Sequence, residues 1–210
     1  MTDPLARLRA ILPEGAVAAG GPVSRLQEPL PAEEEAALSR ARAGRRADFT
    51  AGRVAARQAL AGLGLPPAAL PRDPRGPALW PAGVTGSISH GAGWALAAVA
   101  RHEVFAGIGI DIEAARAFVP LEEIALPGEI AALGRRDPVV LFSAKESAYK
   151  AQFDLTGRLL GFHDLQVTLT DGGFTARLVR DAPPSEAGTV ISGGWAMIGD
   201  AVVTMAAIRR

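Results

Sequence analysis

The run Gly107-Ile108-Gly109-Ile110-Asp111-Ile112-Glu113 reads as a β-strand, and an unusually glycine-rich one. Successive side chains on a strand point to opposite faces. Ile110 and Ile112 therefore share one face, and Asp111 and Glu113 share the other. The isoleucines require an apolar layer on their side. Two carboxylates held together on the reverse face repel each other unless a cation or water intervenes. A hard divalent ion such as Mg2+ would offset the repulsion, and it commonly binds one or two carboxylates together with substrate phosphates. A strand end with two solvated acids is the alternative.

Around this strand the chain reads as helix then strands, twice. Residues 33–62 are rich in alanine, glutamate and arginine, lack proline and end near Gly62 and Gly64, which predicts a helix. A proline-rich loop follows, from Pro66 to about Pro81. Ser87–Ser89 and Trp94–Ala100 read as strands about the turn at Gly91-Ala92-Gly93, with Val104–Glu113 as the third. Phe118–Leu133 suits helix and loop. Asp137–Phe153 suits a helix, with Pro138 in the first turn, where its missing N–H does no harm. Gln166–Thr170 with Phe174–Arg180, and Trp195–Ile198 with Ala201–Ile208, form two hairpins. Trp94–Ala100 and Ala201–Ile208 are similar small-apolar strands. The pattern predicts two α+β halves, divided at 1–104 and 105–210.

At 210 residues the chain can bury a substantial core. Its net charge of +0 supplies no bulk field toward nucleic acid or an anionic membrane. With no cysteine, disulfides, thiolate metal sites and a cysteine nucleophile are excluded. Met1–Glu14 lacks the apolar run of a signal peptide, and no stretch is long enough to span a bilayer. A cytoplasmic protein with no integral membrane segment and no nucleic-acid partner is the expectation.

Both lysines and the only tyrosine fall within Lys145-Glu146-Ser147-Ala148-Tyr149-Lys150, whereas arginine occurs 20 times elsewhere. Lysine can release a proton and arginine cannot, so this run is a candidate for proton transfer. Glu146 and Lys150 are four apart and share a helix face. No histidine–acid pair can be assigned to Ser147 as a nucleophile. Between residues 40 and 57, Arg40, Arg42, Arg45, Arg46, Arg53 and Arg57 face only Asp48, which suits either a solvated helix face or a polyanion site. Ser89-His90 precedes a glycine turn and suits a phosphate oxygen; His102 and His163 read as structural. Carboxylates, lysine, arginines and histidine together read as magnesium-assisted attack on a phosphate.

Gly107–Glu113, followed by Phe142-Ser143-Ala144-Lys145-Glu146-Ser147-Ala148-Tyr149-Lys150-Ala151, resembles the 4′-phosphopantetheinyl transferases. Trp80-Pro81, Gly86-Ser87-Ile88-Ser89-His90, and Gly52-Arg53 with Ala56-Arg57 and Ala59-Leu60 resemble the subgroup typified by the enterobactin-synthase enzyme. These motifs run in family order from about residue 45 to 163. The resemblance implies an α+β pseudo-dimer of two similar halves with the active site in the cleft between them. It implies transfer of the phosphopantetheine arm of coenzyme A to a serine of an apo acyl or peptidyl carrier protein, releasing adenosine 3′,5′-bisphosphate. Siderophore or other secondary-metabolite synthesis would be the setting.

By motif match, Asp111, Glu113 and Glu146 would hold Mg2+. Glu146 would act as general base, and Lys150 would contact the phosphates and protonate the leaving group. Arg45, Arg53, Arg75, Ser89, His90, Asp111, Glu146 and Lys150 would contact coenzyme A, with Arg75 standing where relatives can carry lysine. Leu155 and Leu159 line either the pantetheine path or structural surface. A monomer is expected, because the second half can supply what a dimer partner would. A Mg2+-dependent phosphate-ester hydrolase and a non-catalytic carrier-binding module are the competing functions. The module is disfavoured, since all four of Asp111, Glu113, Glu146 and Lys150 are present.

Overall fold

The computed structural model describes residues 3–210. It is α+β, with two antiparallel sheets of three and five strands. The smaller sheet has the order β1 (Ala16–Pro22), β3 (Trp94–Arg101), β2 (Val84–Gly91). Helix α1 (Pro4–Ile11) precedes it, capped where Asp3 Oδ1 accepts the Leu5 amide at 2.9 Å. A four-residue helix α2 (Ala32–Glu35) then leads to α3 (Ala43–Gly62). Helix α3 covers the sheet through Ala51, Ala55, Ala56 and Ala59, all fully buried with Ala95, Ala97 and Val99. Small residues on both surfaces let helix and sheet approach closely.

The larger sheet has the order β4 (Phe105–Ala114), β8 (Ala201–Arg209), β7 (Val190–Ile198), β6 (Gly173–Leu178), β5 (Leu165–Leu169). Two short helices, α4 (Leu121–Ile124) and α5 (Pro127–Leu133), lead to α6 (Pro138–Thr156). Asp137 caps α6, its Oδ1 accepting the Val139 amide at 3.1 Å. Gly157 ends α6 in the left-handed region at φ 63°, which glycine adopts without penalty. Each sheet thus carries one long helix.

Helix α6 lies almost against the backbone of β4, and Gly107 and Gly109 make this possible. A methyl group at Gly109 would overlap the Ser147 carbonyl oxygen, and one at Gly107 would overlap that of Ala151. Neither neighbour is a flexible side chain. Gly109→Ala is therefore expected to push α6 off β4 and cost about 3 kcal/mol, as core overpacking does. Chemical denaturation measures the loss; a variant as stable as the parent would show that this contact is not tight.

The two sheets meet at β2 and β4, where hydroxyls stand in for a backbone ladder. Ser87 Oγ accepts the Ile110 amide at 3.0 Å, and Ser89 Oγ accepts that of Ile112 at 3.3 Å. Gly91 keeps the seam closed, since a Cβ there would overlap the Ile112 carbonyl. As the alternation predicted, Ile108, Ile110 and Ile112 are fully buried, packed with Leu8, Leu96 and Val203.

Two departures from the sequence reading have physical causes. The helix expected over 33–62 is broken: α2 and a 3-10 turn (Ala36–Leu38) precede α3, with no helix at 39–42. In one straight helix, residues 34 and 57 would lie about 35 Å apart. Instead Glu34 is folded back and fully buried, accepting both bonds from Arg57 Nη1 at 2.8 and 2.9 Å. The second departure is the N-terminal α1 and β1. Strand β1, Ala-Val-Ala-Ala-Gly-Gly-Pro, has little intrinsic strand preference and is held by its ladder to β3. No helix among the described residues is long and apolar enough to cross a membrane.

Candidate active site

The seam places Asp111 where three elements converge. The carboxylate comes from β4, Ser89 from β2, and Ser143 and Lys150 from α6. Asp111 Oδ1 accepts from Lys150 Nζ at 2.7 Å and Ser89 Oγ at 2.8 Å, and Oδ2 accepts from Ser143 Oγ at 2.9 Å. Lys150 Nζ also donates to the Ile110 carbonyl at 3.1 Å and lies 3.3 Å from Ser89 Oγ. Asp111 is only 3% exposed, so this ion pair is partly sheltered from water. Helical spacing puts Ser143 on the Lys150 face, seven residues back, and strand alternation puts Ser87 beside Ser89. Both signals were present in the sequence, where the two serines stand inside the quoted motifs without a role of their own.

Glu113 and Glu146 flank this centre, and both are half-buried. Burial, then Asp111 and Glu146, push the Glu113 carboxyl up to about 7, against the pull of Lys150. Burial raises Glu146 as well, with Asp111 adding to it and Lys150 opposing. The three carboxylates therefore feel one another's charge. They do not converge on a common point, for among the described residues no group of three acids or histidines forms a preassembled metal cluster. Lys150 supplies the countercharge to Asp111. Repulsion among three acids on one surface suits an added divalent cation, and on that chemistry the residues fit Mg2+.

Beside the seam opens a cavity of about 320 Å³, lined among others by Arg45, Arg53, Arg75, His90 and Lys150. These predicted contacts come from α3, the 66–81 loop, β2 and α6. Arg53 is 5% exposed, its guanidinium 4.3 Å above the Phe49 ring, and its Nε has no partner. Burial lowers its pKa to about 10, leaving it charged at neutral pH. An unsatisfied buried N–H on a cationic group carries a large desolvation cost. An anion entering the cavity would relieve it. Arg45 Nη1 lies 3.0 Å from His90 Nε2, which fixes that nitrogen as acceptor and the ring as neutral. Burial, together with Arg45 and Lys150, holds His90 below its ordinary pKa, with Asp48 opposing.

The arginines separate into two groups. Arg46 bonds Glu35 at 2.6 Å and Arg57 bonds Glu34, so these two are structural. The 66–81 loop adds Arg72 and Trp80 to the cavity wall, and Phe49, Tyr149 and Phe153 complete it. Arg72 had no mark in the sequence beyond its charge. Glu146 lies outside this cavity and lines a second one of about 180 Å³ with Lys145, Tyr149, Leu160, Gly161, Phe162 and Leu165. Leu155 and Leu159 line neither cavity, and Leu159 is 65% exposed. The lysines also divide. Lys145 is 1% exposed, bonded to Glu129 at 2.9 Å and to the Phe162 and Leu165 carbonyls at 2.8 and 2.6 Å. All three of its protons serve the fold.

Comparison with known proteins agrees across both sheets. Residues 33–100 match the model of the 4′-phosphopantetheinyl transferase N-terminal domain, and residues 107–206 match that of the 4′-phosphopantetheinyl transferase superfamily. The chain is 38% identical to 4′-phosphopantetheinyl transferase PptT of Mycobacterium tuberculosis over 196 residues, covering 84% of each chain. It is 36% identical to 4′-phosphopantetheinyl transferase Npt of Nocardia iowensis, covering 83% of this chain and 86% of that one. With enterobactin synthase component D of Salmonella typhimurium it shares 36% identity over 173 residues, covering 77% of this chain and 71% of that one.

Proposed function

This chain belongs to the 4′-phosphopantetheinyl transferase superfamily, and from that premise we propose how its residues divide the work. The family moves phosphopantetheine from coenzyme A to a carrier protein. In the reaction the carrier serine oxygen attacks the phosphorus that bears the pantetheine arm. The bond to the bridging diphosphate oxygen breaks, and adenosine 3′,5′-bisphosphate leaves. The serine must lose its proton and the departing oxygen must have its charge stabilised. The nucleophile belongs to the partner, which is why this chain needs no serine triad of its own.

Glu146 takes the serine proton, directly or through one water. Burial raises its pKa, the direction in which a carboxylate becomes a stronger base. Lys150 supplies positive charge to the leaving oxygen. Its ammonium is already oriented by Asp111, Ser89 and the Ile110 carbonyl, so little reorganisation accompanies charge development. Arg45, Arg53, Ser89 and His90 hold the phosphates and orient the donor, and Arg75, engaged by Asp73, shapes the cavity wall beside them. The second cavity, apolar along Leu160, Phe162 and Leu165 and adjoining Glu146, suits the pantetheine arm. Asp111, Glu113 and Glu146 would hold Mg2+, which would neutralise the diphosphate and polarise the phosphorus under attack. Since both walls come from one chain, a monomer suffices. The cytoplasm, where coenzyme A and apo carriers meet, is the compartment of this reading.

The observation that carries the assignment is the Asp111–Lys150–Ser89 junction opening onto an arginine-lined cavity. The test is the intact mass of an apo carrier protein after incubation with the protein, Mg2+ and coenzyme A. A gain of one phosphopantetheine arm is expected, and EDTA should abolish it. Gain that persists in EDTA would remove the metal. Coenzyme A cleavage with no carrier modified would favour the hydrolase; no cleavage and no modification with any carrier class would favour the binding module.

A further inference from the structure

Strand β8 reads Ala-Val-Val-Thr-Met-Ala-Ala-Ile from residue 201 to 208, and Thr204 is the one polar side chain in that run. It is fully buried. The register sets Thr204 directly opposite Asp111 on β4, so both side chains rise from the same face of the sheet. Valine has nearly the same shape and would fill this place with no hydroxyl to satisfy. Burying a hydroxyl is costly unless it is hydrogen-bonded. Packing alone therefore does not call for threonine here.

The hydroxyl of Thr204 reaches Ser143 on α6, which is fully buried as well. Thr204 Oγ1 donates to the Ser143 carbonyl at 2.9 Å and lies 3.0 Å from Ser143 Oγ. Ser143 Oγ in turn donates to Asp111 Oδ2 at 2.9 Å. Each hydroxyl carries a single proton. The carboxylate takes that of Ser143, because a hydrogen bond to a charged acceptor is about twice as strong as one to a neutral oxygen. The proton of Thr204 is left to the carbonyl and Oγ of Ser143, so the order runs from Thr204 to Ser143 to Asp111. Buried Ser147, one turn along α6, shows the alternative. Its Oγ donates back to the Ala144 carbonyl of its own helix. Ser143 instead turns out of the helix, and Thr204 holds it there.

Counting lone pairs shows what the arrangement achieves. An ionised carboxylate accepts about two hydrogen bonds at each oxygen. Lys150 at 2.7 Å and Ser89 at 2.8 Å occupy Oδ1. Oδ2 accepts only from Ser143 among the described residues, which leaves it one open position. Rotation of the carboxylate would exchange the two oxygens and undo this division, and the Ser143 bond opposes it. Resting on the reading of Asp111 as a ligand of Mg2+, we propose that Thr204 and Ser143 are positioning residues for the transfer. They form a buried hydroxyl relay that reserves the open side of Oδ2 for the cation while Oδ1 keeps Lys150. Neither residue touches a substrate, and both act through Asp111. Groups that orient a metal ligand in this way typically change metal affinity or activity by about ten- to a hundredfold when removed.

The test is calorimetric titration of MgCl2 into the protein saturated with coenzyme A, beside the kinetics of carrier modification. Thr204→Val should weaken Mg2+ binding by about tenfold or more and lower kcat by a similar factor, with KM for the carrier unchanged. Its urea midpoint should equal or exceed that of the parent, since only a buried hydroxyl is lost. Thr204→Ser keeps the hydroxyl and should restore most of both losses. Ser143→Ala should lose as much as Thr204→Val. Combining the two should cost nothing further, because the links act in series, whereas independent packing defects would add. Parental Mg2+ affinity and kcat in Thr204→Val, equal losses in the valine and serine variants, or additive losses in the double variant would each overturn the relay. A parent that modifies its carrier equally well in EDTA would instead overturn the metal reading on which the relay rests.

Discussion

Replacing Asp111 with asparagine is expected to slow carrier modification by about a thousandfold or more while leaving the protein folded. Asparagine keeps the shape of the carboxylate, and its Oδ1 can still accept from Ser89 while its Nδ2 donates toward Ser143 Oγ in place of accepting from it, so the seam retains part of its hydrogen bonds. What it loses is charge. Lys150 no longer has an ion partner at 2.7 Å, so the orientation of its ammonium is released. The acid set loses the one member that bonds to both β2 and α6. Two functions fail together, the positioning of the cation on the leaving oxygen and the binding of the proposed metal. A loss confined to one of them would be smaller. The readout is the initial rate of mass gain on an apo carrier, beside circular dichroism and a denaturation curve. A folded variant with parental turnover would remove Asp111 from the reaction.

Asp111 was legible in the sequence because strand alternation has a period of two, which leaves an acid among isoleucines only one face to occupy. Asp137-Pro138 marked the start of α6 for an equally local reason, a capping carboxylate and a proline in the first turn. The pairing of Glu34 with Arg57 was not legible, since it depends on a chain reversal at 39–42 that no glycine or proline announces. Strand β1 escaped because alanine and glycine become a strand there only by pairing with β3. The engagement of Arg75 by Asp73 was hidden for a third reason. An aspartate two residues from Arg75 and one residue from Arg72 does not say which it will bond, and the closure of the loop between Arg72 and Ala78 decides.

The lysine run shows how far periodicity alone can carry an assignment. Lys145 and Lys150 are five apart, which on a 3.6-residue helix separates them by about 140°. They therefore cannot serve one centre. Lys150 faces the seam, and Lys145 faces Glu129 and the turn before β5. Glu129 is itself fully engaged, accepting from the Leu126 amide at 2.6 Å and the Val167 amide at 2.5 Å as well as from Lys145. The network ties α5, α6 and β5 together beneath the second cavity. Replacing Lys145 with methionine leaves a buried carboxylate and two carbonyls without their donor. The expected loss is about 3–5 kcal/mol, which for a chain of this size lowers the melting temperature by about 10 °C. Adding Glu129→Gln to that variant removes the stranded charge and should recover part of the stability, though the amide cannot satisfy both neighbouring N–H groups. Thermal and urea unfolding of the two single variants and the double variant give the coupling directly. If Lys145→Met proved as stable as the parent but inactive, Lys145 would belong to the chemistry, and the proton-transfer reading of the whole run would return.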